Sequence, residues 1–273
     1  MNRDCWIDGV PVATLPADDR GLQYGDGLFE TFAVKDGRIC LLDLHLQRLA
    51  EGCGRLGLGM PPQDALRAEL QAMAEGAVRA VLKLILTRGS GGRGYRPPAG
   101  AVTRRVLSRH PWPDYPEARA QDGVSLKVCD TRLAVQPRLA GMKHLNRLEQ
   151  VLARAEWNDA DGYQEGLMLD TEGRVIEGTM SNVFASPGEG VLLTPDLSRC
   201  GVAGVMRRHI LEQAAKSGVT TREVQFTLDE LLRAREIFLC NSVMGVWPVV
   251  RLAGKAFPTG PMTRRTQGWA EAC

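Results

Sequence analysis

Lys143 stands in the run Leu139-Ala140-Gly141-Met142-Lys143-His144-Leu145-Asn146-Arg147, between a small flexible pair and an apolar periodicity. Leu145, Leu148, Val151, Leu152 and Ala155 recur at helical spacing. They predict a helix over about 145–157 with that stripe against a core. The lysine then sits at a strand-to-helix junction, held through its backbone. An amine that condenses with a carbonyl group to a Schiff base needs such a place: fixed, partly desolvated, and near positive charge that lowers its pKa. Arg138 and Arg147 flank it. Further on, Glu177-Gly178-Thr179-Met180-Ser181-Asn182-Val183-Phe184 puts a carboxylate ahead of small polar residues and an apolar strand. By itself this reads as a turn between strands, with Ser and Asn bonding their own backbone.

These residues need elements to hold them. Residues 5–12 read as a strand and turn around Asp8-Gly9, residues 28–34 as a strand, and residues 39–42 as its partner after a turn. Asp43 is expected to cap a helix whose stripe is Leu42, Leu46, Leu49, Cys53 and Leu56. Arg48 lies off that stripe, free to face a cleft. Asp64 is expected to cap a second helix, with Leu66, Leu70 and Met73 inward. Strands over 78–87 and 103–108 flank a loop with Arg88, Arg93 and glycines 89, 91, 92 and 94. That loop is either a flexible connection or a cradle of cations and backbone N–H groups for a small polyanion. It lacks the order of a Walker-type loop.

Prolines 111, 113 and 116 make a stiff extended run. It predicts a small N-terminal α+β domain over 1–110, a linker over 111–120, and a larger domain over 121–273. In the second domain, strands are expected over 124–129, 167–170, 174–177 and 191–194. Gly201 to Gly204 then lead into a helix with Met206, Ile210, Leu211 and Ala214 inward and Gly218 at its end. A glycine-flanked helix start offers unpaired N–H groups and a positive dipole end, either as a phosphate site or as an ordinary helix entry. Thr227 and Glu230 form a capping box. A strand over 236–241 runs into Ser242, and another covers 246–252.

Taken together, M-K-H-L-N-R-L-E-Q, E-G-T-M-S-N-V-F and G-V-A-G-V-M-R resemble the fold-type-IV pyridoxal-phosphate enzymes. That family includes branched-chain and D-amino-acid aminotransferases and the 4-amino-4-deoxychorismate lyases. D-R-G-L-Q-Y-G-D-G-L-F-E-T (19–31) and H-L-Q-R-L (45–49) are similar to the same family, so the resemblance runs over about 7–250. Two stretches lean to the lyase branch: residues 87–95 (T-R-G-S-G-G-R-G-Y) and the run after the lysine, where Leu148 stands in place of an aromatic residue.

The resemblance implies a two-domain α/β (α+β) fold whose larger domain has a barrel-like sheet. It implies pyridoxal 5′-phosphate held by Lys143, with Glu177 on its ring nitrogen. Arg48 and the amides of Val205 and Met206 would take the phosphate, and Asn241 and Ser242 would join the cofactor contacts. Tyr24, Thr31, Arg88, Arg93 and Tyr95 would meet the substrate, 4-amino-4-deoxychorismate. Lys143 would remove a ring proton, and loss of the enolpyruvyl group would give 4-aminobenzoate and pyruvate, a step of folate synthesis. A homodimer is also implied. An aminotransferase of the same fold would use the same lysine, glutamate and phosphate groups; the 88–95 loop and Leu148 speak for the lyase. A fold-sharing binding protein without chemistry would have no use for both Lys143 and Glu177.

The 273 residues suffice for two modest domains with a sizeable core. A net charge of +2 gives no argument for nucleic acid or a membrane surface as partner. No apolar run approaches a membrane span, and the first residues lack the apolar core of a secretory signal, so a cytoplasmic protein is expected. Seven scattered cysteines, an odd number without C-x-x-C spacing, argue against disulfides and structural zinc. Cys129 and Cys240 are expected as core thiols. The four histidines are far apart, and no metal is expected.

Overall fold

The apolar runs become two sheets, each in its own unit of the chain. The structure is a computed structural model and describes residues 4–12, 14–188 and 190–271. One unit comprises Met1–Pro113 with Met142–Asn146, the other Asp114–Gly141 with Arg147–Cys273.

In chain order the first unit contains β1 (Cys5–Ile7), α1 (Arg20–Tyr24), β2 (Gly27–Lys35), β3 (Arg38–Ile39), α2 (Leu42–Leu56), α3 (Gln63–Ala74), β4 (Arg79–Thr87) and β5 (Arg104–Pro111). Its sheet is antiparallel, in the order β1-β5-β4-β2-β3. Leu28, Phe32 and Val34 of β2 and Leu82, Leu84 and Leu86 of β4 are buried, as are Leu46, Leu49 and Cys53 of α2 and Leu66, Leu70 and Met73 of α3. The expected inner faces of both helices are therefore correct, but their expected caps are not. Residue 41, a leucine in the left-handed region (φ 52°), precedes α2, and Asp43 turns to Arg67 of α3. Pro62 precedes α3 without a side-chain cap, and Asp64 sits in the first turn, where the helix dipole favours it. The left-handed Leu41 also stops the strand expected over 39–42 at Ile39.

The second unit contains α4 (Ala118–Gln121), β6 (Val124–Val128), α5 (Leu148–Arg154), β7 (Glu165–Leu169), β8 (Val175–Gly178), β9 (Asn182–Gly188), β10 (Val191–Pro195), α6 (Val205–Lys216), β11 (Thr220–Val224), α7 (Leu228–Leu231), β12 (Glu236–Asn241), β13 (Gly245–Leu252), β14 (Lys255–Ala256) and α8 (Pro261–Glu271). The sheet runs β11-β10-β9-β12-β13-β6-β7-β8, with β14 beside β13. β8, at the end of this path, comes back against β9 and β10, so the sheet curls like a barrel. Leu126, Leu167, Val183, Leu239, Trp247 and Val249 fill it, and Cys129 and Cys240 are fully buried core thiols. Thr227 and Glu230 form the expected capping box of α7.

The helix after the lysine departs from expectation. It starts at Leu148, because residues 142–146 run extended beside β2. Its expected core stripe faces outward: Leu148 is 76 % exposed, and Val151 and Leu152 are each 60 % exposed. Ala153, whose small side chain packs with Trp157 and Met168, is the residue it buries. No helix among the described residues is long and apolar enough to cross a membrane.

Candidate functional site

In the first unit, the lysine segment pairs with the free edge of β2. The amide of Phe29 donates to the Lys143 carbonyl (2.9 Å), and Leu145 donates to the Gly27 carbonyl (3.0 Å). With His144 opposite Leu28, strand alternation puts Lys143 on the same face as Phe29 and Thr31. The Lys143 ammonium lies 4.4 Å from the centre of the Phe29 ring, and the side chain is half-buried. The expected strand-to-helix junction is present: Lys143 lies in an extended segment on the edge of β2, ahead of the start of α5 at Leu148, and its backbone carbonyl is held there.

The other face of β2 carries Glu30, 1 % exposed. Two N–H groups of the Arg48 guanidinium donate to its two oxygens, Nε at 2.8 Å and a terminal nitrogen at 2.5 Å. The Nδ1 of His45, also 1 % exposed, stands 2.6 Å from the same carboxylate. Burial opposes charge on Glu30, but Arg48 and His45 outweigh it and hold its carboxyl at about 2. Burial likewise pushes the His45 ring below its ordinary value, despite the pull of Glu30. An ionised Glu30 only accepts, so Nδ1 carries the proton. Nε2, buried without a hydrogen-bond partner, then presents a lone pair. Arg48 is thus not a loose helical cation but one arm of a buried triad.

The glycine-rich loop has its own anchor. Arg20, 2 % exposed, donates to Asp26 (2.9 Å) and to the carbonyls of Gly94 (2.9 Å) and Tyr95 (3.1 Å). The amide of Gly94 donates to the Tyr24 hydroxyl (3.2 Å), and the Tyr24 and Tyr95 rings meet edge to face. Arg88 grips Asp26 through two N–H groups and caps the end of α2 through the carbonyls of Leu56 and Gly57. Burial works against the Asp26 charge, yet the two arginines keep its carboxyl below the usual range. Tyr24 and Tyr95 are therefore brought together, Arg93 of the same loop is exposed, and Arg88 underpins the loop from within.

In the second unit, Glu177 is the penultimate residue of β8, 4 % exposed, and its Oε2 accepts the amide of Val202 (2.8 Å). The Asn182 side chain donates to the carbonyl of the same residue (2.8 Å). Val202 is held on both sides, and Val205 and Met206 follow as the buried first turn of α6. Gly204 caps that helix without a side-chain bond, and the first intrahelical bond closes at Arg208. A Cβ on Gly204 would lie 2.0 Å from the Asn182 Oδ1, so only glycine lets the helix start approach so closely. Asn241 donates from its side chain to the Met180 carbonyl (3.1 Å) and accepts the amides of Val243 and Met244, with half-buried Ser242 between.

Residues that sequence reasoning passed over hold these groups: Arg20, Asp26, Glu30 and His45 in one unit, Glu165 and Asn182 in the other. Glu30 did leave a signal, a carboxylate in the middle of a strand rich in apolar residues, whereas Glu165 stands at the start of β7.

The chain matches known proteins over nearly its whole length. A family model described as amino-transferase class IV fits residues 27–252. An aminodeoxychorismate lyase of Vibrio harveyi is 39 % identical over 96 % of this chain and 98 % of that protein. The crystal structure of a 4-amino-4-deoxychorismate lyase from Pseudomonas aeruginosa is 54 % identical, covers 98 % of both chains and superposes with a TM-score of 0.94. A hypothetical aminotransferase from Mycobacterium tuberculosis in its PLP-bound form is 26 % identical, with a TM-score of 0.82 over 96 % of this chain and 93 % of that one.

Proposed function

The chain belongs to the amino-transferase class IV family, and we propose that within it the protein is a lyase converting 4-amino-4-deoxychorismate to 4-aminobenzoate and pyruvate with pyridoxal 5′-phosphate. One observation carries the reading: similarity to a solved lyase at 54 % identity over 98 % of both chains, well above the 26 % shared with the aminotransferase.

The residues present fit that cofactor. A buried carboxylate, Glu177, suits a protonated ring nitrogen, and a glycine-capped helix start suits a phosphate. Lys143 would hold the cofactor through its amine, and Glu177 would accept from the ring nitrogen. Arg48 and the amides of Val205 and Met206 would take the phosphate, with Asn241 and Ser242 alongside. When bound, pyridoxal phosphate supplies an electron sink for the carbanion formed at the substrate carbon that bears nitrogen.

Lys143 performs the proton chemistry. Once the substrate amine has displaced it from the cofactor, its Nζ would remove the proton from that ring carbon; the neighbouring ring carbon–oxygen bond breaks, enolpyruvate leaves and is protonated to pyruvate, and the ring becomes aromatic. Phe29 confines the amine to the face it shares with Thr31, which limits the directions from which it can take a proton. Tyr24, Thr31, Arg93 and Tyr95 are proposed to orient the substrate, with Arg88 and Arg20 keeping the loop in shape.

The protein is proposed to act in the cytoplasm as a homodimer. The outward Leu148, Val151 and Leu152 give α5 an apolar face suited to a second subunit, and the six described cysteines are free thiols. Val151→Asp should convert the dimer to monomer in sedimentation; a wild-type monomer would end this part of the reading.

The decisive experiment adds 4-amino-4-deoxychorismate to the purified protein and follows 4-aminobenzoate by fluorescence, with Lys143→Ala beside it. Product from the wild type alone is expected. No product, with amino transfer to 2-oxo acids instead, would show an aminotransferase.

A further inference from the structure

Glu165 opens β7 with its carboxylate inside the second unit, 1 % exposed. Five donors converge on it. Oε1 accepts the amides of Gly166 (2.8 Å) and Thr179 (3.1 Å) and the Thr179 hydroxyl; Oε2 accepts the amide of Met180 (3.2 Å) and the Ser181 hydroxyl (3.0 Å). None of these donors is charged. Four of the five belong to residues 179–181, the turn between β8 and β9.

That turn is shaped around the carboxylate. The Gly178 amide closes it onto the Ser181 carbonyl (2.6 Å), and a Cβ on Gly178 would lie 2.2 Å from the Ser181 Oγ and 3.2 Å from the Glu165 Oε2. The residues at its two ends are Glu177 and Asn182, which bond the N–H and the carbonyl of Val202. Glu177 stands opposite Met168 of β7 and Asn182 opposite Cys240 of β12, and the turn that joins them gives four donors to Glu165. Asn241 joins the same turn through the Met180 carbonyl.

We propose that Glu165 is a positioning residue: by gathering the 179–181 donors it sets the Glu177 carboxylate and the Glu177–Asn182 grip on Val202 ahead of α6. The proposal rests on the reading of Glu177 as the partner of the cofactor nitrogen. A glutamine cannot replace the glutamate, because its single oxygen can serve only one set of donors. Its NH2 group would then face the Met180 N–H, which is left without an acceptor.

The test compares the wild type, Glu165→Gln and Glu177→Gln. Cofactor-free proteins are read by amide exchange at Met180 and Val202, since the Thr179 amide also donates to the Gly166 carbonyl (3.1 Å), with Leu239 as reference. Proteins loaded with pyridoxal phosphate are read by the absorbance of the bound cofactor against pH, and by kcat and KM. Glu165→Gln should raise exchange at both amides about tenfold or more, with Leu239 unchanged. It should displace the absorbance profile in the same direction as Glu177→Gln but less, and lower kcat about tenfold with KM little changed.

If Glu177→Gln alters the profile while Glu165→Gln leaves exchange, profile and kcat at wild-type values, the inference is overturned and the Glu177 reading stands. If Glu177→Gln itself leaves profile and kcat unchanged, the Glu177 reading fails, and the positioning role built on it is overturned too, whatever the exchange at Val202. Should Glu165→Gln not fold, Thr179→Val with Ser181→Ala removes two of the donors and keeps the carboxylate. Faster exchange at Val202 and a displaced profile would then sustain the inference; wild-type values would overturn it.

Discussion

Glu30 and Glu165 are both about 1 % exposed and both lie on strands, yet the two units satisfy them by opposite means. Glu30 meets charge: Arg48 and the His45 N–H hold its carboxyl at about 2. Glu165 meets only amides and hydroxyls; burial pushes its carboxyl up, and the donors of Thr179, Gly166 and Ser181 pull it back only in part. A counter-ion attracts over distance and tolerates some misplacement, whereas neutral donors act only when aligned. The first arrangement therefore suits holding a long side chain such as Arg48. The second suits fixing the course of a backbone, and it makes the carboxylate dependent on that backbone in turn.

Four measurements sharpen or break this contrast. The largest effect is expected from Glu30→Gln, which takes from Arg48 and His45 the buried carboxylate they share; urea unfolding at pH 7 should show a loss of roughly 3–5 kcal/mol. Glu165→Gln should cost less, about 1–3 kcal/mol for the amide left unpaired. Equal losses in the two variants would break the contrast.

The two should also differ in sign against pH. Glu30 has a folded pKa below its ordinary 4.5, so its contribution is full above 4.5 and is lost as pH falls towards about 2. The gap between wild type and Glu30→Gln should narrow over that window, by at most about 1.4 kcal/mol per pH unit. Glu165 has a folded pKa above 4.5, so between 4.5 and that higher value the folded state holds a proton that the unfolded chain has lost, and above it the carboxylate is ionised in both. Stability from this group falls as pH rises past 4.5, and the gap between wild type and Glu165→Gln should widen on acidification from neutrality towards that value. The smallest effect is expected from Ser181→Ala, which removes one hydroxyl donor and leaves every amide paired, at about 1 kcal/mol in the same unfolding experiment.

What was legible in the sequence followed from local rules. Leu66, Leu70 and Met73 repeat at helical spacing and are buried; Thr227 and Glu230 cap their helix; Cys129 and Cys240 lie in apolar runs and are in the core. Periodicity also marked one face of α5, but not which way that face would turn. Leu148, Val151 and Leu152 point outward, and Ala153 is the residue of α5 that packs in the cluster with Trp157. Caps failed where a side chain had a better distant partner, as Asp43 has in Arg67. Glu165 escaped notice because its donors arrive from residues 179–181, a separation no local pattern encodes. Lys143 and Glu177 stood out through their surrounding motifs; the strand edge that holds the lysine did not, since β2 is remote in sequence.

The first unit includes residues 142–146, while the chain on either side of them belongs to the other. This has a consequence for synthesis on the ribosome. A nascent chain that has emerged only as far as Pro113 has all the helices and strands of the first unit, but the edge of β2 at residues 27–29 still lacks its partner. That edge is bare backbone until a later stretch is translated, and bare strand edges recruit other extended chains. The segment that carries Lys143 thus arrives last in its own unit, and its arrival covers the edge. An N-terminal fragment ending at Pro113 should accordingly be prone to aggregate, and translation through Asn146 should relieve it.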